Sequence, residues 1–386
     1  MKIIPYGRQH IDNKDINAVK KALSNKLITT GKEVTRFENF FSKKVGAKYS
    51  LTCSNGTAGL MLAYLALGTN EKNVIIMPSI NFIASYNMAN FIKAKIYLTD
   101  VDPKSGQMRP EDLKRCIKVN KLKKISTVVV MHNGGIPCDM KEFFKLKNKF
   151  KFNIIEDACH ALGAKYDIAK SHKVGSCRYS ELTIFSFHPL KNITTGEGGM
   201  VTTNNKKLFQ KLILFRNHGI LRAKTNYKKY AWNYNVISSS FNFRLNDFQC
   251  ALGISQLKKL DKFVKRRREI VKKYKNRLSS MKEYLNFTDQ NKEKISAYHL
   301  LVINLNLKKM KISRDQLISK LFQKKITTQV HYIPIFKFSI YKKFYKKNLF
   351  LNALEYFKSS ISLPIYYNLK TKEIDYICLQ LKKIIK

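Results

Sequence analysis

Short apolar runs alternate with amphipathic stretches through the first two-thirds of the chain. Val74–Met77, Ile96–Thr99, Thr127–Met131, Asn153–Glu156 and Leu182–Ser186 are brief, rich in β-branched or aromatic residues, and several end on a polar residue. Runs of this length predict buried strands. Between them, Asp15–Leu23, Thr57–Leu67, Ile83–Phe91, Pro110–Val119 and Met140–Phe150 repeat apolar residues at helical spacing. Strand and helix in alternation predict an α/β domain with a mainly parallel sheet flanked by helices. Chemistry in such a domain gathers beyond the carboxyl ends of the strands. A long amphipathic pattern over Ala251–Tyr274 predicts a connecting helix. Beyond it, the run Tyr298–Leu305, a helix near Arg314–Lys324, the stretch Gln329–Tyr332 and a last helix over Thr371–Ile385 predict a smaller α+β domain. The expected division is a large domain with an N-terminal arm over 1–255 and the connecting helix with a small C-terminal domain over 256–386.

Composition narrows the picture. The chain has 386 residues, 44% of them hydrophobic, enough to bury two cores and to exclude disorder. The opening MKIIPYGRQH lacks the apolar run of a signal peptide, and no stretch of 18 apolar residues predicts a membrane span. Seven dispersed cysteines form no CxxC pair, so neither a metal site nor a disulfide framework is expected, and the protein reads as reduced and cytoplasmic. The formal charge of +47 would attract nucleic acid or an anionic membrane. Its carriers, however, are spread along the chain in stretches such as Lys141–Lys151, Lys265–Arg268 and Lys342–Lys347, with no nucleic-acid module beside them. They read as general surface charge, with neither nucleic acid nor membrane as partner. The field still favours an acidic, phosphorylated small molecule.

Three segments carry candidate chemistry. Ser54-Asn55-Gly56-Thr57-Ala58 is a turn of small residues opening a helix. The free N–H groups and positive dipole end there suit a phosphate, although Asn55 or Thr57 would equally serve as an ordinary cap. In Ile154–Ala164 an acid follows an apolar strand, which puts Asp157 at the sheet edge, as partner for a pyridinium nitrogen or as the cap of the next turn. His160 either reaches a cofactor or fills a polar corner. In Phe185-Ser186-Phe187-His188-Pro189-Leu190-Lys191, a lysine follows a strand end and precedes the glycine-rich Thr194–Gly199. Apolar surroundings would lower its pKa and make it a nucleophile for a carbonyl; otherwise it is a surface lysine. Ser186 adds a hydroxyl five residues earlier.

Taken in order, these segments resemble the sugar-nucleotide aminotransferases of the DegT/DnrJ/StrS type, within fold type I of the pyridoxal-phosphate enzymes. The resemblance spans nearly the whole chain through TTGKEVTRFE, SNGTAGL, IEDACHALGA, FSFHPLKNITTGEGG, FRNHGI, FNFRLNDFQCALG and QVHYIPI. It implies pyridoxal 5'-phosphate as cofactor, held by Lys191 as a Schiff base, with the same lysine as proton shuttle. It implies Asp157 at the pyridine nitrogen and His160 on the ring's hydroxyl side. Phe82 matches the aromatic residue stacked on the ring, though core packing would equally suit its setting. Thr57, Ala58 and Ser186 match phosphate contacts. Asn242 matches a residue reaching the phosphate from a neighbouring subunit, which implies a homodimer with shared sites.

The segments IPYGRQHIDNKDINAVKKAL, VGSCRYSELTIFSFHPLKNITT and QVHYIPIF are similar to one branch of that family, which makes UDP-4-amino-4,6-dideoxy-N-acetyl-β-L-altrosamine for pseudaminic acid. That similarity implies L-glutamate as amino donor and a UDP-linked keto-sugar as acceptor. Tyr6, Lys26, Thr29, His331 and Tyr332 then match pocket-lining positions. Leu221–Ser239 and Glu283–Ser296 depart from the branch pattern. Two other readings compete: an aminotransferase or dehydratase acting on another nucleotide-linked keto-sugar, and a non-catalytic regulator that binds nucleic acid. Lys191 speaks against the dehydratases, which carry histidine at that position, and the missing DNA-binding module speaks against the regulator.

Overall fold

The computed structural model describes residues 2–167, 169, 171–221, 232–288 and 294–386. The main sheet holds β1 (Tyr49–Cys53), β2 (Val74–Pro78), β3 (Lys95–Thr99), β4 (Thr127–Met131), β5 (Asn153–Asp157), β6 (Leu182–Ser186) and β7 (Gly199–Thr203), in spatial order β1-β7-β6-β5-β4-β2-β3. From β6 to β3 neighbouring strands run parallel, whereas β7 pairs antiparallel with both β6 and β1. Around the sheet lie α1 (Asn13–Leu23), α2 (Lys32–Val45), α3 (Gly56–Ala66), α4 (Ala84–Phe91), α5 (Pro110–Val119), α6 (Met140–Phe150) and α7 (Lys206–Arg216). A two-residue ladder joins β8 (Ile220–Leu221) to β9 (Asn235–Val236). Then follow α8 (Asp247–Lys258) and α9 (Leu260–Arg277). The C-terminal part has an antiparallel sheet of β10 (Leu285–Phe287), β11 (Leu301–Leu305) and β12 (Ser360–Leu363), with α10 (Arg314–Gln323), α11 (Leu351–Ser359) and α12 (Thr371–Ile385).

Both faces of the main sheet are covered, which is why its strands read as apolar runs rather than alternating ones. Ile76, Val128, Val130, Ile154 and Phe185 face one core with α2, α5 and α6. Their neighbours Ile75, Val129, Ile155 and Ile184 face a second core with α3, α4 and α7. The α3 sequence GTAGLMLAYLA is apolar almost all round, and nine of its residues are buried; such a helix belongs inside the protein. A third core joins α9, α10, α12 and the small sheet, and it includes Ile4 from the N-terminal arm. Ile4 bridges to Ile326, and the Ile365 N–H donates to the Tyr6 carbonyl at 3.0 Å. The arm thus lies on the C-terminal part.

Several expected elements are corrected. The pattern over Ala251–Tyr274 is two helices interrupted at Lys259. The Lys259 ammonium reaches Asp12 and Asp15 at the start of α1, at 2.9 and 2.6 Å, a tertiary tie that periodicity does not report. The stretch Gln329–Tyr332 joins the small sheet through one bridge, Gln329 to Ser362. Strand β11 begins only at Leu301. Strands β1 and β7 carry threonines among their apolar residues and are visible only through their pairing. Helix α2 is preceded by Gly31 at its cap position, which has no capping side chain of its own. The cap comes from Asp247 on α8, which accepts from the Gly31 and Glu33 N–H groups at 2.7 and 2.9 Å. Of the two segments that depart from the branch pattern, residues 222–231 and 289–293 lie outside the described residues.

Candidate active site

The carboxyl ends of β1, β5 and β6 open on a cavity of about 610 Å³. Helix α3 points its N-terminus into it. Asn55 is the cap: its Oδ1 accepts from the Ala58 N–H at 2.8 Å. That bond engages Ala58, which does not line the cavity, whereas Gly56 and Thr57 do. Their N–H groups belong to the first turn, where no intrahelical acceptor exists. Gly56 is required by close approach, since a Cβ there would stand 3.0 Å from the Ser186 Cβ and 3.1 Å from the Cys159 Sγ. Gly199, at the start of β7, supports the same turn: a Cβ would meet the Asn55 carbonyl oxygen at 2.5 Å. Gly199→Ala is therefore expected to displace the capped turn and lower stability by about 1–3 kcal/mol, the usual cost of overpacking. Thermal unfolding measures this, and an unchanged midpoint would contradict the crowding.

Strand β5 delivers Asp157, 3% exposed, to the cavity floor. Its Oδ1 accepts from the Cys159 N–H at 3.2 Å and its Oδ2 from the Ser85 hydroxyl at 3.3 Å. The preceding Glu156 is fully buried and accepts from the Ser180, Tyr166 and Thr183 hydroxyls. Burial opposes its charge, but His132, followed by the Ser180 and Tyr166 hydroxyls, holds its carboxyl below the usual range. The His132 N–H donates to the Asp157 carbonyl, so the ends of β4 and β5 are pinned together beneath the cavity.

Lys191 projects from the loop after β6. Burial lowers its pKa, opposed by Cys159 and by the Asp157 carboxylate. Of the four imidazoles that line the cavity with it, three are buried. His160, His299 and His331 are all pushed to low pKa by burial, with the Lys191 charge adding to the effect, and His331 falls to about 3. They are neutral at ordinary pH. Phe82, half exposed, stands at the cavity wall with its ring centroid 5.7 Å from that of Tyr332. Tyr6 enters from the arm with its ring 5.9 Å from His331.

Of the residues singled out in the sequence, Thr57, Phe82, Asp157, His160, Ser186, Lys191, Tyr6, His331 and Tyr332 meet in this cavity. Lys26, Thr29 and Asn242 do not line it and are exposed. Thr29 bridges to Asn246, and Asn242 bridges to Asn217. Sequence reasoning missed His299, whose ring centroid lies 4.4 Å from that of His160. The run Tyr298–Leu305 absorbed it as strand, and its one signal was a histidine ahead of an apolar run. Asn55, Asn81, Cys159 and Glu197 also line the cavity without having been singled out for it.

The arrangement suits pyridoxal phosphate on the chemistry of its donors. A helix N-terminus with the Ser186 hydroxyl fits a phosphate, a buried carboxylate fits a pyridinium, and an amine of lowered pKa fits an aldehyde.

A fold of this type, with an aspartate at one strand end and a buried lysine in the loop after the next strand, has the makings of a pyridoxal-phosphate-dependent enzyme. The chain belongs to the DegT/DnrJ/EryC1/StrS aminotransferase family, whose profile matches residues 9–382. It is 36% identical over 375 residues to UDP-4-amino-4,6-dideoxy-N-acetyl-beta-L-altrosamine transaminase of Campylobacter jejuni serotype O:23/36, covering 97% of this chain and 96% of that one. It is 32% identical over 379 residues to GDP-perosamine synthase of Escherichia coli O157:H7, covering 98% and 97%. Helicobacter pylori PseC, described as an aminotransferase involved in the biosynthesis of pseudoaminic acid, superposes with a TM-score of 0.90 at 28% identity, covering 100% and 99%. Among the described residues, no helix is long and apolar enough to cross a membrane. All seven cysteines are free.

Proposed function

We propose that this chain transfers the amino group of L-glutamate to C4 of a UDP-linked 4-keto-6-deoxy-N-acetylhexosamine, giving UDP-4-amino-4,6-dideoxy-N-acetyl-β-L-altrosamine. The observation that carries the chemistry is one cavity holding Lys191, Asp157 and the α3 N-terminus. The sugar is argued from the 36% identity to the Campylobacter transaminase. When bound, pyridoxal phosphate supplies an electron sink that stabilises a carbanion next to nitrogen. Lys191 holds the cofactor and, once released, carries a proton between carbons; its burial favours the uncharged amine that this needs. Asp157 keeps the ring nitrogen protonated. Gly56, Thr57 and Ser186 hold the phosphate, Phe82 covers one ring face, and His160 stands on the ring's hydroxyl side.

Asn242, Lys26 and Thr29 lie outside their own chain's cavity. In this reading they serve the cavity of a second copy, and the working unit is a homodimer in the cytoplasm. The reading also keeps a large domain over 1–255 and a small one over 256–386. Incubation with L-glutamate and a panel of UDP-, GDP- and TDP-linked 4-keto-sugars tests the assignment. The expected result is 2-oxoglutarate formed in equal amount to a 4-amino sugar, with the UDP-linked N-acetyl substrate preferred. Preference for a GDP- or TDP-linked sugar would overturn the sugar assignment and leave the transamination standing.

A further inference from the structure

His160 and Tyr332 form a directed pair. The Gly134 N–H donates to His160 Nδ1 at 3.3 Å. A backbone N–H can only donate, so Nδ1 is an acceptor and the proton of this neutral ring sits on Nε2. Nε2 stands 2.9 Å from the Tyr332 hydroxyl and therefore donates to it. With its oxygen accepting from the histidine, the Tyr332 O–H is left to donate elsewhere. The two rings lie nearly parallel, 25° apart with centroids at 5.9 Å, and Phe82 flanks Tyr332 on another side. All three residues line the cavity that holds Lys191.

Several other groups there are committed to other roles, whereas the Tyr332 O–H is the donor whose direction the protein itself fixes. Lys191, once released, is the carrier of the proton that moves between carbons, and its burial favours the uncharged amine. His331 has Nδ1 beside the Ser362 hydroxyl at 2.9 Å, and Asp157 and Glu197 are acceptors once ionised. His160 has both nitrogens occupied within the protein, so it acts through its neighbour.

We propose that the Tyr332 hydroxyl is the hydrogen-bond donor to the carbonyl oxygen of the keto-sugar, and that His160 is a positioning residue that fixes the direction of that donor. The inference rests on the transamination reading given above. As the amine nitrogen adds to the carbonyl carbon, a C–N bond forms and the π electrons move onto oxygen. The C–O bond then breaks, and the oxygen leaves as water with two hydrogens that come from the nitrogen. The protein supplies no net proton; the phenol stabilises the charge while it resides on oxygen. Burial raises the phenol pKa, so it stays protonated throughout the working range.

A donor used only as charge develops changes turnover more than binding. Tyr332→Phe is expected to lower kcat for the sugar half-reaction about 100-fold, the usual loss for one such donor, with KM little changed. The fall should exceed that of the glutamate half-reaction at least tenfold. His160→Asn should lose less, and Tyr332→Phe combined with His160→Asn should be no slower than Tyr332→Phe alone, because the two act as one unit. A purely structural His160 would instead make the losses multiply. Half-reactions are followed by the cofactor's visible absorbance in the holoenzyme, and that band is also titrated against pH.

Equal loss in both half-reactions, or independent losses in the double variant, would overturn the proposal. So would a shifted titration of the resting chromophore in Tyr332→Phe, since the hydroxyl would then serve the cofactor's own ring oxygen. If Tyr332→Phe fails to fold, Tyr332→Leu and Tyr332→Met, which also lack a donor, take its place with the same half-reaction ratio. If the wild type prefers a keto-sugar on another nucleotide, the sugar assignment falls, while the Tyr332 test runs unchanged on that ketone.

Discussion

Replacing Lys191 with alanine is expected to remove turnover altogether and to abolish the visible absorbance of the lysine-bound cofactor. Without the side-chain amine no covalent attachment forms, and no other amine lines the described cavity to take its place. The proton that must move between carbons also loses its carrier, a role worth about 10²–10⁴ in rate by itself. Purified Lys191→Ala, scanned in the visible range and assayed with glutamate and a keto-sugar, checks both parts. Retained turnover would remove Lys191 from the mechanism, whatever the spectrum showed. Because burial lowers the Lys191 pKa, the free amine persists to lower pH than in an exposed lysine. Uptake of pyridoxal phosphate by the apoprotein should accordingly reach half its maximal rate below the pH at which a solvent-exposed lysine does.

The second large effect is expected at Asp157. Asp157→Asn keeps the shape but removes the charge that would hold the pyridine nitrogen protonated. Breaking a buried charge pair from one side costs about 3–5 kcal/mol. If that stabilisation is felt in the transition state, kcat falls by about 10²–10⁴. The acid also accepts from the Cys159 N–H and the Ser85 hydroxyl, and an asparagine oxygen can keep one of those bonds. Folding should therefore be less affected than catalysis. Comparable losses in both, measured by thermal unfolding beside the kinetics, would mark Asp157 as a structural residue.

What was legible in the sequence follows from range. The parallel strands β2 to β6 appeared because both faces of the sheet are covered, so their apolar runs are continuous. Asp157 and Lys191 appeared because each sits just past such a run. Residues that matter through distant partners did not appear. Asp247 caps a helix that begins at residue 32, and no local pattern announces it. Lys259 breaks a helix whose periodicity runs on, because its partners are Asp12 and Asp15. His299 was hidden by the strand that follows it. The capping role of Asn55 and the proposed phosphate role of its turn were offered as alternatives, yet one turn accommodates both: Asn55 takes the Ala58 N–H, and Gly56 and Thr57 remain.

The charge of the chain also reads differently at the site. A net +47 suggested attraction for anions. Among the described cavity-lining side chains, however, Lys191 is the one cation, with Asp157 and Glu197 as acids. The surplus of lysine draws an anionic nucleotide toward the protein rather than holding it, so on-rates should depend on salt more than affinity does.

The N-terminal arm sets an order of events during synthesis. Ile4 is 2% exposed only because it sits in a core made by residues 270–385, and its bridge partner is Ile326. At roughly 5–20 residues per second, a ribosome needs roughly 15–65 seconds to make the intervening chain. Throughout that interval the arm has no place to dock, although the main sheet can already assemble. The arm is among the last parts to find its native contacts, and a bulky insertion just ahead of Ile4 would burden the C-terminal part more than the sheet that follows the arm in sequence.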